Sequence, residues 1–467
     1  MGENRAAMVG RSEKRRDFPD DLRGKQVIIL GAGRSGRAAA ALLARCDAHV
    51  ILADDDPESV HPDEIENVVA SHVQLVLGDI RPELVSNADA VVTSPGVRLT
   101  HPLLARALQH GVPVIGELEL GGRFARSPMV AVTGTNGKTT TVHWIAHLLG
   151  KAGQSAVVCG NVGTALCEVV ARSADWFIVE ASSFQLETVH RFHPRAAVIL
   201  NLSADHLDRH PNAEDYLAIK ARVAANQQRD DALVLNADDD AVWSLGATAA
   251  SAVWGFSSDK SLERGVFVES GKITVRTTPN APSRALLASG EIPLPGSHNL
   301  ANALAAAATA CVCGVEHEQI AAGLRDFTGV EHRLERVREL RGVGFVNDSK
   351  ATNLTSLEVA LRSFDRPIIL IAGGRGKGQL YGTLSALITS AVRHLIVLGE
   401  EAERMEAAWG SLVPTQRVAD MEEAVRTAAR LAHPGEVVLL SPACASFDMY
   451  RNFEQRGRHF KELVQNL

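Results

Sequence analysis

Short apolar runs, each closed by glycine or a cluster of polar turn residues, recur along the chain and alternate with alanine-rich stretches of helical period. The first set falls at residues 26–30, 48–52, 73–77, 90–92 and 112–115. Between its first two members, Gly31-Ala-Gly-Arg-Ser-Gly36 opens a helix, and the second run ends on Asp54, Asp55 and Asp56. A second set occupies 129–133, 156–159, 176–179, 196–200 and 232–235, with a helix predicted over 141–149. A third lies at 343–346, 367–371, 394–398 and 436–440. Strands that alternate with helices pair in parallel through crossover connections, so the pattern predicts an α/β protein. Three consecutive domains are the economical division, at 23–116, 117–328 and 329–467, after a flexible extension over 1–22. One stretch differs. Residues 251–295 carry Thr, Val, Ser and Gly in short alternating runs and predict a small antiparallel patch, after which Gly296-Ser-His-Asn299 leads into a helix at 300–313.

Composition narrows this picture. A chain of 467 residues exceeds what one hydrophobic core supports. Only 4% of it is aromatic, so alanine and glycine supply much of the apolar share, which suits close helix-on-sheet layers. The net charge of −7 lacks the basic field of a nucleic-acid binder, and any phosphate must be met by local positive groups. No run reaches the roughly 18 apolar residues of a membrane span. The N-terminus has no apolar signal region, and the six cysteines lack framework or zinc spacing and read as reduced packing residues. A cytoplasmic, monomeric protein with neither nucleic acid nor membrane as partner is expected.

The most specific chemistry lies in VAVTGTNGKTTT, a strand, loop and helix with Gly134, Thr135, Asn136, Gly137, Lys138, Thr139 and Thr140 in the order of a phosphate-binding loop. Glycines let backbone N–H groups turn inward onto phosphate oxygens, and the helix N-terminus adds positive potential. Lys138 is placed to reach the β- and γ-phosphates, and the Thr139 hydroxyl to reach Mg²⁺. Val132 stands where the full Walker pattern has glycine, so the loop is a shortened variant. Downstream, FIVEASSFQLE puts Glu180 at a strand tip, and VILNLSADHLDRH delivers Asp205 and His206 from another, where open α/β sheets hold ligands. The first motif is ambiguous. Gly31-x-Gly33-x-x-Gly36 followed by Asp54 is also the fingerprint of a nicotinamide dinucleotide site, which leaves an oxidoreductase as an alternative.

Together GTNGKTTT from Gly134, GNVG from Gly160, EASSFQLE from Glu180, NLSADHLDRH from Asn201, HNLANALAA from His298, EHRLE from Glu331 and NDSKATN from Asn347 resemble the Mur ligase family and the related folylpolyglutamate synthases. The resemblance spans nearly all of the chain after residue 25. It implies an N-terminal Rossmann-like domain for a UDP-linked substrate, a central P-loop ATPase-type domain with a parallel sheet, and a mobile C-terminal Rossmann-like domain. The segment SPACASFDMYRNFEQRG from Ser441, with GGRGKG from Gly373, looks most like the branch that adds D-glutamate to UDP-MurNAc-L-Ala. Another Mur-type ligase or a folylpolyglutamate synthase is the rival within the class.

The implied reaction activates the L-alanyl carboxylate with ATP as an acyl phosphate, which the glutamate amine attacks. By resemblance, Gly31, Gly33, Ser35, Gly36, Asp54, Ser94, Pro95, Gly96, Asn161 and Gln185 bind the UDP substrate, although Asp55 and Asp56 replace the polar or basic partner expected there. Asn299, Asn302, Arg333 and Asp348 join the loop in binding ATP. Two Mg²⁺ ions are implied, held by Thr139, Glu180, His206 and a carbamylated Lys220, with Lys138, His206 and Lys220 as the catalytic groups. Thr352, Lys377, Ser446 and Phe453 match the glutamate pocket.

Overall fold

The structure is a computed structural model that describes residues 17–57, 73–202, 212–376 and 378–467, and every statement below concerns these. The chain forms two compact units, one of residues up to 293 with 297–327, the other of 294–296 with 328–467.

The first unit holds two sheets. Strands β1 (Gln26–Leu30), β2 (His49–Asp54), β3 (Val73–Leu77), β4 (Ala90–Thr93) and β5 (Val114–Gly116) run in the order β3-β2-β1-β4-β5, all parallel. Helix α1 (Arg34–Ala44) follows β1 and lays its alanines on the sheet. Gly36 is dictated by that packing, since a Cβ there would stand 1.8 Å from the Gly31 carbonyl oxygen. Helix α2 (Glu117–Phe124) then leads into the larger sheet. Its strands are β6 (Met129–Thr133), β7 (Ala156–Gly160), β8 (Trp176–Glu180), β9 (Ala196–Ile199), β10 (Ala232–Asn236), β11 (Ala252–Ser257), β12 (Gly265–Glu269), β13 (Lys272–Arg276) and β14 (Arg284–Ala288). They run in the order β14-β13-β12-β11-β10-β9-β6-β8-β7.

The parallel sheet expected of the central domain is present, and it ends in an antiparallel edge. The patch predicted at 251–295 is its continuation, because β11 pairs in parallel with β10 and β12 in parallel with β11, while β13 and β14 turn antiparallel. The cause is local: Ser270 and Gly271, both at positive φ, close a two-residue hairpin, which can join only antiparallel neighbours. The helix after Gly296 starts at Ser297 and runs to Val312, so Asn299 and Asn302 lie in its first turns. The end of the expected extension is packed, with Phe18 and Leu22 buried in a core cluster that joins both sheets of this unit.

That shared core is stapled by one charged group. Glu119 of α2 is fully buried and accepts N–H bonds from His190 (2.8 Å), Arg191 (3.0 Å) and Phe192 (2.9 Å), while Arg123 Nε donates to it at 2.7 Å. A carboxylate of this kind satisfies three consecutive backbone N–H groups of the turn before β9.

In the second unit β15 (Glu335–Leu340), β16 (Val343–Asn347), β17 (Ile368–Gly373), β18 (Val392–Leu398), β19 (Thr415–Arg417) and β20 (Val437–Leu440) run in the order β15-β16-β20-β17-β18-β19. All pair in parallel except the edge strand β15, a charged strand that the apolar-run pattern does not predict. The final helix, Phe453–Gln465, is capped by Asn452 and packs against β15 and β16.

Glu119→Ala is expected to lower unfolding stability by about 3 kcal/mol, because it removes the acceptor of three consecutive N–H groups and the partner of the Arg123 charge. The exposed Glu83→Ala should change it by less than about 0.5 kcal/mol. Urea unfolding of both variants measures the difference, and equal midpoints would refute the role given to Glu119.

Candidate active site

In the central sheet β6 lies between β8 and β9, so the loops leaving their carboxyl ends are neighbours at a topological switch point. The loop after β6 is the phosphate-binding candidate. Gly134 (φ 150°) and Gly137 (φ 83°) take conformations that favour glycine, and a Cβ on Gly137 would meet Asn302 Oδ1 at 2.2 Å. The helix Lys138–Lys151 starts at Gly137 with no side-chain cap and points its N-terminus at the loop. Lys138 Nζ donates to the Gly134 and Thr135 carbonyl oxygens, both at 2.8 Å, and so curls over the loop. Asn201, just beyond β9, straps this loop down. Its carbonyl accepts the Thr135 N–H at 3.1 Å, its side-chain oxygen the Asn136 N–H at 2.9 Å, and its amide donates to the Asn136 carbonyl at 3.1 Å. The sequence assigns Asn201 no role, and only the adjacency of β6 and β9 reveals one.

Glu180 ends β8 and is buried. Thr139 Oγ1 donates to its Oε2 at 2.7 Å and Asn161 Nδ2 to its Oε1 at 3.0 Å. No cation pairs with it among the described residues. A buried carboxylate held only by a hydroxyl and an amide is a donor set that fits a hard divalent cation, because such an ion removes the uncompensated charge. Lys220 is 1% exposed, with Nζ 4.2 Å from the Tyr216 ring centroid. Asp205 and His206 lie outside the described residues. Asn299 and Asn302 are buried on one face of their helix, and Thr141 Oγ1 donates to Asn302 Oδ1 at 3.4 Å.

The N-terminal sheet has its own switch point between β1 and β4. Gly31 (φ 99°) and Ser94 meet there, with Ser94 Oγ donating to the Gly31 carbonyl at 2.9 Å. Gly33 precedes the first turn of α1 and Ser35 lies within it. Asp54 spends its carboxylate on backbone: Oδ2 accepts the Ala32 N–H at 2.6 Å and Oδ1 the Asp56 N–H at 3.0 Å. This buttresses the glycine loop. A narrow cleft lined by Ser94, Pro95, Glu117, Gln185 and Thr188 lies beside it, with Gly96 on the adjoining turn. Gln185 also closes a capping box, its Oε1 accepting from the Ser182 N–H at 3.0 Å.

In the second unit β20 lies between β16 and β17, and three strand tips again converge. Asp348 follows β16 and is buried. Ser441 Oγ donates to it at 2.8 Å and the Leu334 N–H at 3.3 Å. Burial pushes its carboxyl up to about 7, against the opposing pull of Ser441, Leu334 and the Arg333 charge. Ser446 is buried after β20, and Thr352 is half-buried near Asp348. The Phe453 ring is half-buried, edge-on to His332, with Lys350 Nζ 3.8 Å from its centroid. Lys377 lies outside the described residues. All six cysteines are free thiols, and buried Cys444 contacts Tyr381 Oη at 3.3 Å with no histidine beside it.

Comparison with known proteins agrees with this arrangement. Three family models match: Mur ligase MurD-like, N-terminal domain, over residues 25–116; Mur ligase middle domain over 132–310; and Mur ligase, glutamate ligase domain, over 332–444. The UDP-N-acetylmuramoylalanine--D-glutamate ligase of Acidobacterium capsulatum is 42% identical, covering 95% of this chain and 97% of its own. That of Pelotomaculum thermopropionicum is 45% identical, covering 96% and 99%. Among solved structures, MurF from Acinetobacter baumannii superposes with a TM-score of 0.58 at 17% identity, covering 88% of this chain and 91% of its own. UDP-N-acetylmuramate-alanine ligase MurC from Thermotoga maritima gives 0.57 at 18%, covering 95% and 99%. These two share the fold. With three domain models in chain order and full-length relatives above 40% identity, the chain belongs to the Mur ligase family.

Proposed function

We propose that this protein joins D-glutamate to UDP-N-acetylmuramoyl-L-alanine at the expense of ATP, in the synthesis of peptidoglycan precursors. The observation that carries the chemistry is Glu180, a buried carboxylate bound by Thr139 at the tip of a phosphate-binding loop. The substrates are inferred from relatives of the same length whose names carry this activity.

The loop around Gly134–Thr140 receives the ATP phosphates, with Lys138 turning from its carbonyl partners to the β- and γ-phosphates. Thr139 and Glu180 hold Mg²⁺, which when bound neutralises the phosphates as a second anion approaches. Lys220, out of solvent on its helix, is in a setting suited to carbamylation and, with His206, to a second ion. Ser94, Pro95 and the Gly31 loop take the UDP end of the substrate, with Asn161 and Gln185 at its alanyl end. The L-alanyl carboxylate attacks the γ-phosphorus, ADP departs, and the glutamate amine displaces phosphate from the acyl carbon. Asn299 and Asn302 serve the adenine side, and Arg333 and Asp348 the phosphate and ribose side. Thr352, Lys377, Ser446 and Phe453 receive the amino acid.

Phosphate release should require UDP-MurNAc-L-Ala and D-glutamate together, and L-glutamate, diaminopimelate or lysine should not replace the latter. Release without any amino acid would point instead to an ATPase, and release with folate and L-glutamate to the folate branch. Lys138→Ala should reduce the rate by at least about 100-fold, and an unchanged rate would overturn the loop assignment.

Asp348 makes a prediction about pH. Its folded value near 7 stands above the unfolded value of about 3.9, so its stabilising contribution is complete at low pH and is lost as pH rises towards 7. Relative to wild type, Asp348→Asn should therefore gain stability between about pH 4 and 7 and hold that gain above it. Thermal melts across this range test it, and a constant difference would refute the burial argument.

A further inference from the structure

Arg456 is a buried cation that the proposed reaction does not yet use. It lies on the final helix, is 2% exposed, and spends its guanidinium on neutral groups. Nε donates to Ser349 Oγ at 3.0 Å, and Nη2 to the carbonyls of Ser349 at 2.9 Å and Cys444 at 3.0 Å. Nη1 donates to the Ala445 carbonyl at 3.3 Å. No carboxylate among the described residues forms an ion pair with it, and Asp448 pulls on it only from a longer distance. Burial accordingly lowers its affinity for its proton, to about 10.

These acceptors belong to the loops that carry the amino-acid candidates. Ser349 precedes Thr352, and its hydroxyl donates on to the Phe453 carbonyl at 2.8 Å. Ala445 precedes Ser446 and forms a two-way backbone bridge with Arg375 of the glycine-rich loop after β17, at 2.9 and 3.0 Å. Gly374 keeps the approach open, because a Cβ there would stand 2.3 Å from the Ala445 oxygen and 3.2 Å from Arg456 Nη1. One planar fork therefore ties the tips of β16 and β20, and through Ala445 the loop after β17, to the helix that carries Phe453. A lysine, with a single nitrogen, cannot span these four acceptors at once. The charge is buried without a direct ion pair among the described residues and is opposed only at longer range by Asp448, a setting that a dicarboxylate arriving nearby would stabilise.

We infer that Arg456 is a positioning and specificity residue for the acidic amino acid, holding the Thr352, Ser446 and Phe453 loops in register and supplying a buried positive charge that favours a dicarboxylate over a neutral side chain. This rests on the reading that the second unit receives glutamate. The test uses the full-length enzyme with UDP-MurNAc-L-Ala and ATP, comparing wild type with Arg456→Met and Arg456→Lys. In the methionine variant KM for D-glutamate should rise about 10- to 100-fold, while KM for ATP stays within about threefold. Its kcat/KM preference for D-glutamate over D-glutamine should fall at least about tenfold. The lysine variant should retain more of that preference but not the low KM. An unchanged KM and preference in folded Arg456→Met, or a loss confined to kcat, would overturn the inference. If that variant does not fold, Arg456→Lys decides alone, a raised KM with retained preference supporting the inference and wild-type values refuting it. Wild-type enzyme that releases no phosphate with D-glutamate would instead overturn the functional reading.

Discussion

The candidate site in the first unit is organised by the burial of a negative charge that has no cationic partner among the described residues. Glu180 is taken out of water at the end of β8, and among the described residues it is met by the Thr139 hydroxyl and the Asn161 amide. An arrangement of this kind costs stability unless another charge completes it. The surrounding backbone is built to hold it in place. Thr139 reaches Glu180 because Gly137 turns the chain at positive φ against Asn302, and Asn201 pins the loop from the neighbouring strand. The site is thus a consequence of strand order, since the three tips come from strands that are adjacent in the sheet but separated in sequence.

The second unit repeats this solution with the opposite sign. The tips of β16 and β20, and through Ala445 the loop after β17, converge on Arg456, a buried cation whose partners are carbonyls and a hydroxyl. Asp348, close to the same strand tips, is held nearer to neutrality by its own burial. Among the described residues, one unit therefore presents a buried carboxylate without an ion pair and the other a buried guanidinium without one. Chemistry that brings a metal-bound nucleotide and an acidic amino acid to one protein needs both kinds of setting.

Structural charges are treated differently. Glu119 is met by three consecutive backbone N–H groups and Arg123, and each oxygen of Asp54 accepts one backbone N–H, so both carboxylates hold the chain around them. This separates two kinds of acidic residue that look alike in sequence. Asp54 at the end of β2 has the position of a ribose ligand, yet its oxygens serve the loop beside it.

Apolar runs and glycine spacing, by themselves, determined most of the strands, the α/β class and the phosphate-binding loop, because these depend on local periodicity and on φ values open to glycine. The motif residues from Gly134, Glu180 and Asn347 likewise made the family legible before any coordinates. What they could not determine was whatever depends on neighbours distant in sequence. The charged edge strand β15 and the packing of Phe18 and Leu22 are set by tertiary partners. So is the burial of Lys220, which sits on a helix whose own pattern suits a solvated lysine. Arg456 is the clearest case. In a helix rich in charged residues it reads as a surface cation, and only the convergence of strand tips onto its guanidinium takes it out of water.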